Sequence, residues 1–130
     1  MSDVLDSIKR AHRALFDEFD WKSDPEVFQV PEKWSRPKRR GNRLIGDCDD
    51  FAMEMDYRTS NLVPLSGRRF CIARVNRSNE TYDHCMLAFI IDDDIWISDC
   101  RHALLTPRSS LPYDLWAWNK GALNSKWETF

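Results

Sequence analysis

No two of the four cysteines form a CxxC pair; they stand at 48, 71, 85 and 100. A zinc ribbon or a thioredoxin-like redox motif is therefore unsupported. No stretch approaches the run of about 20 apolar residues that a membrane-spanning helix needs. The opening segment "MSDVLDSIKRAHRALF" is charged throughout and has neither an apolar h-region nor a cleavage site. These absences predict a cytoplasmic protein with no membrane partner. An excess of one charge is also missing. With 19 basic and 21 acidic residues the net charge is −2, so no global field favours nucleic acid, and no nucleic-acid-binding motif is present. A disulfide framework is not expected in a reducing compartment. Most of the cysteines should then be small buried hydrophobes.

A chain of 130 residues reads as one domain spanning 1–130. It can bury roughly two thirds of the surface its unfolded chain exposes, so it needs no disulfide or metal staple. Val4, Ile8, Ala11, Leu15 and Phe19 recur at helical spacing, with Leu5, His12 and Phe16 alongside. The first element is thus an amphipathic helix capped by Ser2 or Asp3, with His12 expected at its surface or edge. Residues 20–46 contain Pro25, Pro31, Pro37 and Gly41 and no periodic run. They read as a long connection pinned by Trp21, Phe28 and Trp34. Its basic cluster, Lys33, Arg36, Lys38, Arg39, Arg40 and Arg43, reads as a solvated loop.

"GDCDDFA", residues 46–52, sets Cys48 among Asp47, Asp49 and Asp50. Three carboxylates should keep a thiol protonated. Asp47 is a good N-cap, and Asp50 stands where a capping box needs its acid. A second helix should therefore start at Cys48, expose an apolar stripe of Phe51, Ala52 and Met55, and end between Arg58 and Asn61. The positive end of the helix favours a thiolate by only about 0.3–1 kcal/mol. A stronger partner is needed.

The remainder reads as strands: 69–75, 84–91 and 95–100, with "NRSNETYD" a polar loop. The last two form a hairpin. A two-residue turn puts Asp99 and His84 on one face, and a turn at 92–93 makes them diagonal neighbours about 7–8 Å apart at Cα. The same alternation turns Cys85 and Cys100 away from His84. A Cys at a helix start, a His on one strand and an Asp on the next occur in the order of a papain-like triad. The imidazole would take the thiol proton, and the carboxylate would orient the ring.

"GDCDDFA", "DHCMLAF" and "WISDC" together resemble the bacterial transglutaminase-like cysteine proteinases. "VPEKWSRP" upstream and "PYDLWAWNKGALNSKW" downstream extend the likeness to about residues 25–128. The resemblance implies an α+β papain-like core: helices first, then an antiparallel sheet, with the thiol at a helix start. It implies Cys48 as nucleophile, His84 as general base and Asp99 as orienting acid. Well-studied members of the family are calcium-dependent periplasmic proteases that clip an adhesin. The positions matching their calcium ligands are Asp47 and Asp49. The chain departs from that pattern in its short length, its lack of a leader and its SDC in place of LDN. The first two departures suggest a phage or mobile-element form acting on another protein or peptide substrate.

The reaction expected is acyl transfer from a protein to water or an amine (protease, deamidase or transglutaminase), with no required cofactor and with calcium as an optional one at Asp47 and Asp49. Cys48 N–H is the expected oxyanion donor, with Trp34 or Asn42 as side-chain candidates. His102 is a rival base, placed past a strand end without a partner. Two alternatives stand beside this reading. One is a catalytically silent protein-binding module, such as a phage-encoded inhibitor of a host protein. The other is a metal site of Cys48, His84 and Cys100, which strand alternation disfavours. Oligomeric state has no signature in these residues.

Overall fold

The computed structural model describes residues 3–21, 38–41, 43–77, 80–112, 115–119 and 127–129. Helix α1 (Asp3–Glu18) leads into a short strand, β1 (Phe19–Trp21). Strands β2 (Lys38–Arg40) and β3 (Arg43–Gly46) follow, then helix α2 (Cys48–Arg58). The chain continues through β4 (Arg68–Arg77), β5 (Glu80–Ile91), β6 (Asp94–Ser98), β7 (Thr106–Pro107), β8 (Leu115–Asn119) and β9 (Trp127–Thr129). Six strands form one antiparallel sheet in the order β7-β6-β5-β4-β8-β9. The α+β architecture expected from the sequence is the one observed. No helix among the described residues is long and apolar enough to cross a membrane.

Alternation along β5 sorts the core into two layers. Cys85, Leu87 and Phe89 join Phe51, Ala52 and Met55 of α2 and Ile8 and Leu15 of α1 in one apolar cluster. Met86 and Ala88 pack with Cys71, Ala73 and Ile97 in the other. Phe51 ties the helical layer together. Its ring meets His12 edge-on at 5.5 Å and Phe19 at 5.0 Å between centroids. Toward the C-terminal ends of the two helices the links are charged. Arg58 bonds both Glu54 and Glu18, and buried Arg68 reaches Asp56 at 2.9 Å and the carbonyl of Val63.

Three sequence expectations change. The connection 20–46 contains a small sheet in which β3 lies between β1, parallel to it, and β2, antiparallel to it. Its strands are only 3 and 4 residues long, too short for periodicity to register. Lys38, Arg39 and Arg40 therefore belong to a strand, and Arg43 bonds Asp20 at 2.5 Å instead of lying in a solvated loop. Lys33, Arg36, Phe28, Trp34 and Asn42 lie outside the described residues. The polar stretch 76–83 is also largely strand, with Asn76 opposite Thr81 and Arg77 opposite Glu80. Cross-strand pairing overrides the low strand preference of Asn and Glu there. Last, β6 stops at Ser98, so Asp99 and Cys100 leave the strand.

Candidate active site

Helix α2 begins as the sequence requires. The Asp47 side chain accepts from the amides of Asp49 and Asp50 at 3.1 and 3.2 Å, and Asp50 Oδ2 accepts from the Asp47 amide at 3.1 Å. This closed capping box satisfies orphan donors of the first turn. It also explains Gly46, because a Cβ there would stand 2.6 Å from that of Asp50. The helix places Cys48 at its first position, with Sγ 3.5 Å from the backbone amide of Cys85, the residue after His84. Standard peptide geometry then keeps the sulfur within about 6 Å of the His84 Cα.

On the other side of the corner, the hairpin turns through Asp92 and Asp93, whose φ angles are 51° and 67°. Two consecutive left-handed residues make the tight turn that matches strand twist. Ile91 pairs with Asp94 and Leu87 with Ser98, which is the 92–93 register. His84 and Asp99 meet as that register predicts: Nε2–H donates to Oδ1 at 2.7 Å, both groups being buried. The Arg101 amide adds a second bond to the same oxygen at 3.0 Å. Burial acts to raise the Asp99 carboxyl, but the His84 hydrogen bond and charge outweigh it and hold the group below its ordinary value.

His12 overturns its surface assignment, for it is fully buried. Its spacing from Ile8 and Leu15 had placed it on the apolar face of α1, and that signal was sufficient. Nε2 lies 2.7 Å from the carbonyl of His102 and Nδ1 lies 2.7 Å from Ser98 Oγ. Only Nε2–H can donate to a carbonyl, so Nδ1 accepts from the hydroxyl when the ring is neutral. Burial pushes this histidine below its ordinary value, which favours that neutral state. His12 thus grips the residue before Asp99 and the one three after it. His102 is not partnerless either. Its Nε2 stands 3.4 Å from Asp99 Oδ2, and its amide closes a turn onto the Asp99 carbonyl at 3.1 Å.

Cys48 is in a contrary environment. Burial pushes its thiol well above the ordinary value, and the Asp49 carboxylate and then Cys100 push the same way. Asp49 Oδ1 accepts from Sγ at 3.6 Å. The Cys85 amide acts in the opposite direction and is the weaker influence. Cys71 and Cys85 are buried in the core as expected. Cys100 is not turned away from His84. Beyond the end of β6 alternation no longer applies, and a ligand atom each from His84, Asp99 and Cys100 lies within 4.8 Å of the others.

A helix-start cysteine packed against an antiparallel sheet, with a buried pair formed by His84 on β5 and Asp99 just past the end of β6, fits the transglutaminase-like fold class. No family model and no curated protein matches the chain. Among solved structures it is similar to calcium-bound LapG of Legionella pneumophila, with a TM-score of 0.64 at 19% identity over 98% of this chain and 78% of that one. A second LapG structure gives 0.65 at 19% identity, over 98% and 74% of the two chains. The EGTA-treated form gives 0.62 at 20%, over 89% and 68%. At such identity the likeness establishes the fold.

Proposed function

We propose that the chain is a thiol acyl-transfer enzyme acting on protein or peptide substrates, with Cys48 as nucleophile, His84 as general base and Asp99 as orienting acid. The observation that carries this is the buried 2.7 Å bond from His84 Nε2 to Asp99, one residue along β5 from the amide that holds the Cys48 sulfur. With Nε2 given to the carboxylate, Nδ1 is the nitrogen assigned to the thiol proton. Sγ adds to a substrate carbonyl carbon as its proton passes to His84. The tetrahedral oxyanion then collapses, the C–N bond breaks, and His84 returns the proton to the departing amine. Water or a second amine attacks the thioester by the reverse sequence. The capping box takes the amides of Asp49 and Asp50, not that of Cys48, which leaves the Cys48 N–H as the oxyanion donor.

LapG, a transglutaminase-like cysteine protease, is known in calcium-bound and EGTA-treated forms. The carboxylates of Asp47 and Asp49 are the hard oxygen donors that calcium takes, and they are the residues we assign to such an ion here. Asp47 also caps α2, so backbone carbonyls and water would complete the 6–8 ligands typical of calcium. The ion would supply positive charge beside the carboxylate that now opposes the thiolate.

The raised Cys48 thiol favours a second reading, a protein-binding module without turnover. An experiment separates the two. Lysate proteins are followed by mass spectrometry after incubation with the full chain or with Cys48→Ala. The acyl-transfer reading expects a protein that is cleaved, deamidated or cross-linked by the wild type only. Identical changes with both proteins, or changes with neither in calcium and in chelator alike, would overturn it.

A further inference from the structure

We propose that His84, Asp99 and Cys100 form a binding site for a thiophilic divalent cation of the zinc class, and that occupying it shuts down the thiol chemistry. The claim of shut-down rests on the function proposed above; the claim of binding does not.

The site exists because β6 ends one residue early. Had the strand run on, Cys100 would point away from His84. Instead the chain folds into a turn, closed by the 3.1 Å bond from the His102 amide to the Asp99 carbonyl, and the thiol comes back beside the pair. An imidazole nitrogen, a carboxylate oxygen and a sulfur then lie within 4.8 Å of one another. His84 and Asp99 are 1% and 0% exposed, so two of the three ligands already stand side by side in the core. The third is on the adjoining residue of the same turn.

The donor set selects the metal. Calcium takes oxygen ligands almost alone, whereas one nitrogen, one oxygen and one sulfur suit zinc. Zinc bonds of about 2.0–2.3 Å at tetrahedral angles put ligand atoms roughly 3.3–3.7 Å apart. The His84–Asp99 contact of 2.7 Å must open slightly, and Cys100 must close by at most about 1.5 Å. Side-chain rotation can supply both changes. Three protein ligands leave one position for water. This site differs in its donor atoms from the Asp47–Asp49 oxygens.

Occupation and catalysis compete for the same side chains. The Asp99 carboxylate and the His84 imidazole, paired in the metal-free chain, are the groups offered to the metal. Once bound, the imidazole no longer takes the Cys48 proton. A soft metal would hold the enzyme silent until a chelator or a competing thiol removed it.

The test uses the full chain, made metal-free, with cobalt(II) as a spectroscopic probe and zinc(II) by calorimetry. Wild type and Cys48→Ala should each bind one equivalent and show a near-ultraviolet sulfur-to-cobalt band. Cys100→Ser should lose that band and bind zinc at least tenfold more weakly. His84→Ala should weaken zinc binding by as much. Cys48 alkylation by iodoacetamide should slow at least tenfold when zinc is added to wild type, and hardly change in Cys100→Ser. Binding that survives Cys100→Ser unaltered, or that is lost in Cys48→Ala alone, would overturn the site. Cys100-dependent binding with an unchanged Cys48 rate would overturn the shut-down. If zinc binds as stated but metal-free Cys48 reacts no faster than Cys71, the acyl-transfer reading fails and the metal site stands.

Discussion

The two sides of the candidate site, the proposed base side and the proposed nucleophile side, are prepared to different degrees. The base side is held throughout by hydrogen bonds. His84 is bonded to Asp99, Asp99 to the Arg101 amide, and His12 grips Ser98 and His102 on either side of them. The nucleophile side is rigid in its backbone, through the capping box, yet its thiol is held protonated by burial and by Asp49. Polar groups buried with their partners specify geometry. A thiol buried beside a carboxylate is chemically restrained. Restraint therefore sits in charge at Cys48, while precision sits in hydrogen bonds at His84.

The sharpest way to break that contrast is Asp99→Asn. An amide can donate to His84 Nε2, which moves the ring proton to Nδ1 and blocks its use as a base. Cys48 alkylation near neutral pH should fall about 100-fold, the low end of what a positioned base contributes, with little change in the circular-dichroism spectrum. An unchanged rate would show that the two sides are uncoupled.

His12→Phe keeps the ring contact with Phe51 and removes both polar bonds. A buried hydroxyl and carbonyl then lose their partner, at a cost of about 1–3 kcal/mol, read from urea unfolding. A pH dependence accompanies it. Burial lowers the folded-state value of His12, so the unfolded chain binds the proton more readily. Stability tied to this residue is complete above its ordinary value and is lost as pH falls below it. Asp99, also lowered, contributes stability above the usual carboxylate range that is lost as pH falls through its folded value. His12→Phe should flatten the first of these losses and spare the second.

Asp47→Ala acts on the nucleophile side. Loss of the cap should cost about 0.5–2 kcal/mol in the same urea assay and leave the His84–Asp99 bond intact. The smallest effect expected is that of calcium on Cys48. Neutralising a surface-proximal carboxylate should quicken alkylation by a few-fold, as charge effects of about 1 kcal/mol do. The gain should vanish in excess chelator and in Asp49→Asn. Equal rates with and without calcium would leave Asp47 and Asp49 as helix-cap residues only.

Local chemistry made part of this legible. The capping box of "GDCDD" set the start of α2, and a two-residue turn set which face of β5 Asp99 would meet. Both depend on neighbours in sequence. What stayed hidden depends on distant contacts. The spacing of His12 already placed it on the apolar face of α1, but its partners Ser98 and His102, 86 and 90 residues away, are not readable locally. Cys100 joins His84 because the strand frays at Ser98, and alternation cannot report a strand's own end. The small β1-β3-β2 sheet is built from pieces too short to carry a period.

The central claim is that His84 acts on the Cys48 thiol, and one comparison tests it most directly. Iodoacetamide labelling of the metal-free chain near neutral pH is followed at all four cysteines by mass spectrometry, in wild type and in His84→Ala. The account predicts that Cys48 reacts much faster than Cys71, Cys85 and Cys100, and that His84→Ala removes most of this advantage because burial and Asp49 then act unopposed. Equal rates at the four thiols, or a Cys48 rate that His84→Ala leaves unchanged, would contradict it.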